Sequence, residues 1–216
     1  TPQNPMLRSL VGSEMCIRDR VKKARAVEMD HVAKKEVWTP ITRATAQANG
    51  WKVVPTRWID VNKGDKQNPI HRSRFVAKGF NTGAMEGLFA ATPPLEAARL
   101  LLSIAASNRE YVVMINDVSR AFFEAPASRT VCVEIPRESP DYAVGVVGLL
   151  NKSLYGTRDA ATNFQAEVVS FMTRSGFVQS RYNHTLFDHR ERNIRVLVHG
   201  DDFMSCLLYT SPSPRD

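Results

Sequence analysis

The chain has 216 residues, of which 43% are hydrophobic and 24% charged, and a formal net charge of +7. These values are ordinary for a soluble globular protein with one or two cores, and no apolar run reaches the roughly 18 residues of a membrane span. The mild cationic excess permits a nucleic-acid partner without requiring one.

The two ends differ in kind from the rest. "LVGSEMCIRDR" (10–20) and "CLLYTSPSPRD" (206–216) can be written as opposite strands of one DNA segment, which looks like a sequencing-library adapter. Residues 1–20 and 206–216 are therefore expected to be read-through, "TPQNPMLRS" included, and are set aside from fold reasoning. The cationic excess persists without them. Of the three cysteines, Cys132 alone then remains, which leaves no disulfide framework and no cysteine-based metal spacing. A reducing compartment is the default.

Residues 21–38, "VKKARAVEMDHVAKKEVW", carry Val27, His31 or Val32, and Val37 at helical spacing with charges elsewhere, and predict an amphipathic helix. Residues 56–80 predict a hairpin: a strand around Trp58 and Val61, turn chemistry from Asn62 to Pro69, and a returning strand. On that returning strand Arg72, Arg74, Val76 and Lys78 share one face, and Ser73, Phe75 and Ala77 the other. A cationic stripe results. The tryptophans Trp38, Trp51 and Trp58 lack the basic interleaving of a stacking platform and are assigned to the core.

"TPPLEAARLLLSIAASNRE" (92–110) predicts a buried helix entered through Thr92 and Pro93, with Leu95, Ala98, Leu102 and Ala105 inward. Tyr111 to Ile115 form an apolar run suited to a central strand, with Asp117 at its end. "RTVCVEIP" is a further strand. Residues 160–177 predict a helix with Phe164, Val168 and Phe171 on its apolar side and Gly176 as terminator. "IRVLVHGDDF" (194–203) alternates as a half-buried strand and then sets Asp201 and Asp202 side by side after Gly200. Mixed elements without regular βαβ alternation indicate an α+β domain.

Alone, Gly200, Asp201 and Asp202 read more readily as a hairpin turn than as a site. With Asp117 at a second strand end, a divalent metal site becomes the sharper reading. Successive strand side chains face opposite ways, so the expected working pair is Asp117 with Asp201, leaving Asp202 at the rim. Two carboxylates about 4 Å apart repel by roughly 4 kcal/mol at an effective dielectric near 20, which a proton or a cation relieves. Magnesium is a hard cation suited to carboxylates and substrate phosphates, and two such ions serve an in-line displacement. A two-residue type II′ turn wants glycine first, as Gly200 provides. His199 has no companion ligands at metal-binding spacing and reads as a strand residue beside the site.

"NDVSRAFFEAP" resembles the A motif, "KSLYGTRDAA" the B motif and "HGDDF" the C motif of reverse transcriptases of Ty1/copia-type retrotransposons. The likeness continues through "PTRWIDVNKGD", "RSRFVAKGF" and "LEAARLLLSIAA", in order over nearly all of residues 21–205. It implies a right-hand polymerase truncated before the thumb, with an N-terminal helix and fingers over 21–110 and a palm over 111–205. Asp117, Asp201 and Asp202 would be catalytic and bind magnesium or manganese, with the Val118 carbonyl as a further ligand. Phe122 would reject a ribose 2′-hydroxyl, Tyr155 and Gly156 would line nucleotide and template, and Arg74, Lys78 and Arg72 would meet the triphosphate. The implied partners are an RNA or DNA template with its primer, deoxynucleoside triphosphates and the remaining polyprotein domains, integrase and RNase H. No membrane partner is implied, and the implied setting is a cytoplasmic retrotransposon particle.

Two stretches depart from the pattern. Thr157 to Ala161 replace Leu-Lys-Gln-Ala-Pro, and His199 and Gly200 replace Tyr-Val, which bears on template contacts but removes no metal ligand. One alternative is a degenerate or domesticated element that binds nucleic acid without catalysis; a metal-dependent nuclease is a second, though it would not need an aromatic gate. With the return strand after Asp202 supplied by an adapter-like peptide, proper pairing is not expected, and the chain alone is expected to be poorly stable and inactive.

Overall fold

The computed structural model describes residues 5–65, 67–79 and 91–208, with side chains from Ile17 onward; Phe80 and residues 209–216 of the adapter-like tail lie outside the described residues. In chain order the elements are α1 (Pro5–Lys34), β1 (Trp38–Thr42), α2 (Arg43–Ala48), β2 (Val53–Val54), β3 (Thr56–Asn62), β4 (His71–Ala77), α3 (Leu95–Ser107), β5 (Tyr111–Asp117), β6 (Cys132–Glu134), β7 (Val146–Leu150), α4 (Ala160–Arg174), β8 (Val178–Gln179), β9 (Leu186–His189), β10 (Ile194–His199) and β11 (Asp202–Leu208). This is the expected mixture of helix and sheet. The chain divides into two compact units, residues 1–83 with 127–160 and residues 84–126 with 161–216. The division expected at residue 110 runs with the chain, whereas these units interleave along it. Among the described residues no helix is long and apolar enough to cross a membrane.

The first unit holds a four-stranded sheet, ordered β1-β7-β6-β2, and the β3-β4 hairpin. The hairpin forms as expected, Thr56 to Asn62 pairing antiparallel with Ala77 to His71. Strand alternation buries Ser73, Phe75 and Ala77 together. The buried face of α1 differs from the sequence reading: Glu28, Met29 and Val32 are inward and Val27 is exposed, while Val37 is buried just beyond the helix end. The periodic apolar signal is weak among so many lysines and alanines, so contacts choose the face. Arg25 anchors α1 to the hairpin, bonding Asp60 at 2.6 and 3.2 Å and Glu138 at 2.7 Å. Its guanidinium lies 5.1 Å from the Trp58 ring centroid, and the Trp58 indole N–H donates to Glu138. Trp58 also packs on Phe75, as does the buried Trp38.

The second unit is one antiparallel five-stranded sheet, ordered β5-β11-β10-β9-β8, with a helix on each face. On one face Ala97 and Leu101 of α3 pack with Leu197 and Cys206. Leu95 and Leu102, expected inward, are exposed. A helix carrying three consecutive leucines is apolar nearly all round, so its periodicity cannot select the buried side. On the other face Phe164, Val168 and Met172 of α4 pack with Phe187, Val196 and Val198. Here Met172 takes the place expected of Phe171, which is exposed. The helix closes at Gly176 as expected, with the Phe177 N–H bonded to the Met172 carbonyl at 3.0 Å.

Two expectations about this sheet are corrected. Among the described residues β5 is an edge strand, not a central one, and its Met114 and Ile115 are exposed. The return strand also pairs fully: β11 runs from Asp202 to Leu208, between β10 and β5. Its Cys206, Leu207 and Leu208 meet Val113, Val112 and Tyr111, and Cys206 is completely buried. Ladder hydrogen bonds come from the backbone, and an apolar Cys-Leu-Leu run fits a half-buried sheet whatever its origin.

Candidate functional site

The β10-β11 connection is a two-residue turn, Gly200-Asp201, because His199 pairs directly with Asp202. Gly200 has φ +62° and Asp201 is not at positive φ, the sign pattern of a type II′ turn. Such a turn matches the right-handed twist of the flanking strands. It presents the acids at the end of the sheet, beside the end of β5.

Register changes how the acids group. Asp202 lies directly opposite Asp117 in the strand register, while Asp201, expected as the partner of Asp117, stands in the adjoining turn. Strand alternation does not govern Asp201, because it occupies the turn. There its carbonyl accepts the Val118 N–H at 2.9 Å, tying the turn to the residue after Asp117. His199, Asp202 and Asp117 form one cross-strand row over β10, β11 and β5. With strands about 4.8 Å apart, Asp202 neighbours both, while His199 and Asp117 stand two strand spacings from each other. Asp117, Asp201, Asp202 and His199 are all exposed. Asp202 and His199 line a cleft of about 440 Å³ bounded by Pro94, Leu95, Ile115 and Met204.

Directly opposed carboxylates destabilise a strand pair, and among the described residues no basic side chain forms an ion pair with these. Their donor set is hard oxygen, which fits a magnesium-type cation held by one or two carboxylates with substrate oxygens completing the shell. Among the described residues no group of three or more His, Cys, Asp or Glu side chains is gathered closely enough to form a full protein cage. Phe122 sits in the short 3-10 turn Ala121–Glu124, half-buried, with its ring 6.3 Å from that of Phe164. It packs with Val118 against the α4 cluster, on the sheet face opposite the Asp117 and Asp202 row. Phe123 is fully buried, a core residue.

In the first unit, Arg72 and Arg74 lie half-exposed on the outer face of β4, and Lys78 follows its end. Val76, assigned to the same stripe, is buried. Tyr155 and Gly156 run beside the end of β4: the Ala77 N–H donates to the Tyr155 carbonyl at 2.7 Å and the Gly79 N–H to the Gly156 carbonyl at 3.1 Å. Gly156 has φ +81°, and a Cβ there would stand 2.1 Å from the Ala77 carbonyl oxygen, so only glycine permits this approach. The Arg74 guanidinium lies 5.8 Å from the Tyr155 ring centroid.

Sequence reasoning missed the role of Asp159, a departure from the expected motif. It is buried and takes hydrogen bonds from Arg129 at 3.1 Å and Ser128 at 3.2 Å. Burial alone would raise its pKa, but these bonds hold it below the ordinary carboxylate value. Only a basic residue 30 positions earlier could have signalled the pair.

Comparison with known proteins adds a second line of observation. The family described as "Reverse transcriptase (RNA-dependent DNA polymerase)" matches residues 36–208. The chain is 28% identical over 164 residues to the "Retrovirus-related Pol polyprotein from transposon RE2" of Arabidopsis thaliana, covering 70% of this chain and 11% of that protein. It is 26% identical over 164 residues to the transposon RE1 polyprotein of the same plant, again 70% and 11% of the two chains. To the transposon TNT 1-94 polyprotein of Nicotiana tabacum it is 25% identical over 197 residues, 87% of this chain and 14% of the relative. The chain thus spans about a tenth of the length of the curated relatives it matches.

Proposed function

Since the chain belongs to the reverse transcriptase (RNA-dependent DNA polymerase) family, in its Ty1/copia-type branch, we propose that it carries the nucleotidyl-transfer centre of a retrotransposon Pol polyprotein. The observation that carries this reading is the opposition of Asp117 and Asp202 across two strands, with Asp201 in the adjoining turn. In this reading residues 21–110 supply the N-terminal helix and fingers and residues 111–205 the palm of a right-hand polymerase.

Asp117, Asp202 and Asp201, with the Val118 carbonyl, would hold divalent magnesium, which when bound supplies charge neutralisation to the developing transition state. The type II′ turn keeps Asp201 on a short, rigid connection, and the Val118 N–H fixes that turn to the end of β5. The primer 3′-hydroxyl attacks the α-phosphate of a deoxynucleoside triphosphate and pyrophosphate leaves. Arg74, Arg72 and Lys78 would bind the triphosphate, and Tyr155 and Gly156 would line the nucleotide; the expected role of Phe122 against a ribose does not fit its place on the sheet face away from Asp117 and Asp202. RNA or DNA template and primer would be held mainly through phosphates by the cationic excess.

The test is primer extension by a full-length copy and its Asp117→Asn and Asp201→Asn variants. Synthesis should fall by roughly 10³-fold or more while primer-template binding persists. Extension undiminished by both substitutions would overturn the reading. Binding without extension in the unsubstituted protein would instead support a degenerate or domesticated element.

A further inference from the structure

Within the first unit, the arginines that serve structure are matched to carboxylates: Arg25 to Asp60 and Glu138, Arg43 to Glu134, Arg129 to Asp159. Arg74 is treated differently. Among the described residues it has no carboxylate partner, and its Nε is buried without a hydrogen bond. What it has is the ring of Tyr155, 5.8 Å from its guanidinium carbon.

That ring is itself held. The Tyr155 carbonyl takes the Ala77 N–H, the Gly156 carbonyl takes the Gly79 N–H, and the preceding Leu154 is fully buried. Tyr155 is therefore fastened to the strand that carries Arg74, at Ala77 three residues further on. We propose that Tyr155 is a positioning residue: its aromatic face holds the Arg74 guanidinium so that the terminal amino groups form a fixed fork for the polyphosphate of a nucleoside triphosphate. The inference rests on the nucleotide-binding reading above and singles out Arg74 from Arg72 and Lys78, neither of which has an aromatic support among the described residues. A guanidinium on an aromatic face keeps its charge and its planar fork, whereas a carboxylate partner would neutralise the first and occupy the second.

The chemistry requires a ring and makes no demand on the phenol hydroxyl. The experiment titrates inorganic tripolyphosphate into the full 216-residue chain, without nucleic acid, by calorimetry. Relative to the unsubstituted chain, Tyr155→Leu should bind about three- to five-fold more weakly and Arg74→Gln at least about ten-fold more weakly, and Tyr155→Phe, which keeps the ring, should bind more tightly than Tyr155→Leu. In the Arg74→Gln background, Tyr155→Leu should have no further effect. Equal binding by the Phe and Leu variants, or additive losses in the double variant, would overturn the positioning role. Unchanged binding by Arg74→Gln would overturn the receptor assignment. Should Tyr155→Leu fail to fold, the unsubstituted chain still decides: the Arg74 Nε–H proton should resonate upfield of the other arginines through the ring current, and an unshifted signal counts against the proposal. Failure of the polymerase reading would show separately, in the acid-variant primer-extension assay, because tripolyphosphate binding uses neither the acids nor a primer.

Discussion

Asp117 and Asp202 face each other across two strands, an arrangement that costs the fold stability when no cation is present. Asp202→Asn should therefore stabilise the metal-free chain slightly, by about 0.2–1 kcal/mol. If magnesium binds as proposed, it should raise the melting temperature of the unsubstituted chain, and the same substitution should diminish that rise. Thermal melts with and without magnesium measure both effects, and a destabilised, still magnesium-responsive variant would contradict the pairing. Gly156 makes a different demand. Gly156→Ala forces a Cβ against the Ala77 carbonyl at a φ of +81°, so a loss of about 2 kcal/mol or more is expected in urea denaturation.

Helix α4 separates a residue's polarity from its contribution. Phe164 and Phe171 are equally apolar and share the predicted inward face, yet Phe164 is buried in the sheet-facing cluster while Phe171 is 58% exposed. Phe164→Ala should cost about 3–5 kcal/mol and Phe171→Ala under about 1 kcal/mol, by equilibrium unfolding. Similar losses at the two positions would mean that α4 is rotated from the described orientation. The legibility of helices followed the same rule. Gly176 marked the end of α4 because chain termination is local chemistry, whereas the inward faces of α1, α3 and α4 depend on which neighbour each meets.

For the molecule as a whole, acid should be the sensitive direction. A hydrogen bond from Arg25 is the largest influence on Asp60 and holds its pKa below the ordinary value, with Ser73 assisting against burial. At Glu138 burial works upward but is outweighed by bonds from Arg25 and Trp58. Asp159 is likewise depressed through Arg129. A carboxylate depressed on folding contributes stability that is fully present above its unfolded value, about 4, and is lost as pH falls through the folded value. Melting temperature should accordingly change little from these groups above about pH 5 and fall below about pH 4. Arg25→Gln should lower stability by about 1–2 kcal/mol near neutrality and flatten that acid slope. Melts across pH 3–7 check this; an unchanged slope would show that Arg25 is not the anchor. Cys206 extends the argument to β11: Cys206→Ser places a hydroxyl in the apolar cluster of Leu101 and Leu197 and should cost about 1–3 kcal/mol.

The family, the mixed fold, the β3-β4 hairpin, the alternation of β4 and the glycine turn at residue 200 were all legible in the chain, because each rests on local spacing or on motifs in order. The grouping of the acids was not. Residues 117 and 202 are brought opposite each other by strand register, a property of two distant segments together, and one position of slip would change every pair along β5 and β11. The return strand shows the same limit from the other side: a peptide set aside for its apparent origin completes the sheet, because backbone pairing and apolar burial depend on what residues 206–208 are and not on where they came from. The support of Arg74 by Tyr155 likewise joins residues 81 positions apart. Local chemistry writes turns and helix ends into the sequence, while only the folded chain decides which side chains meet.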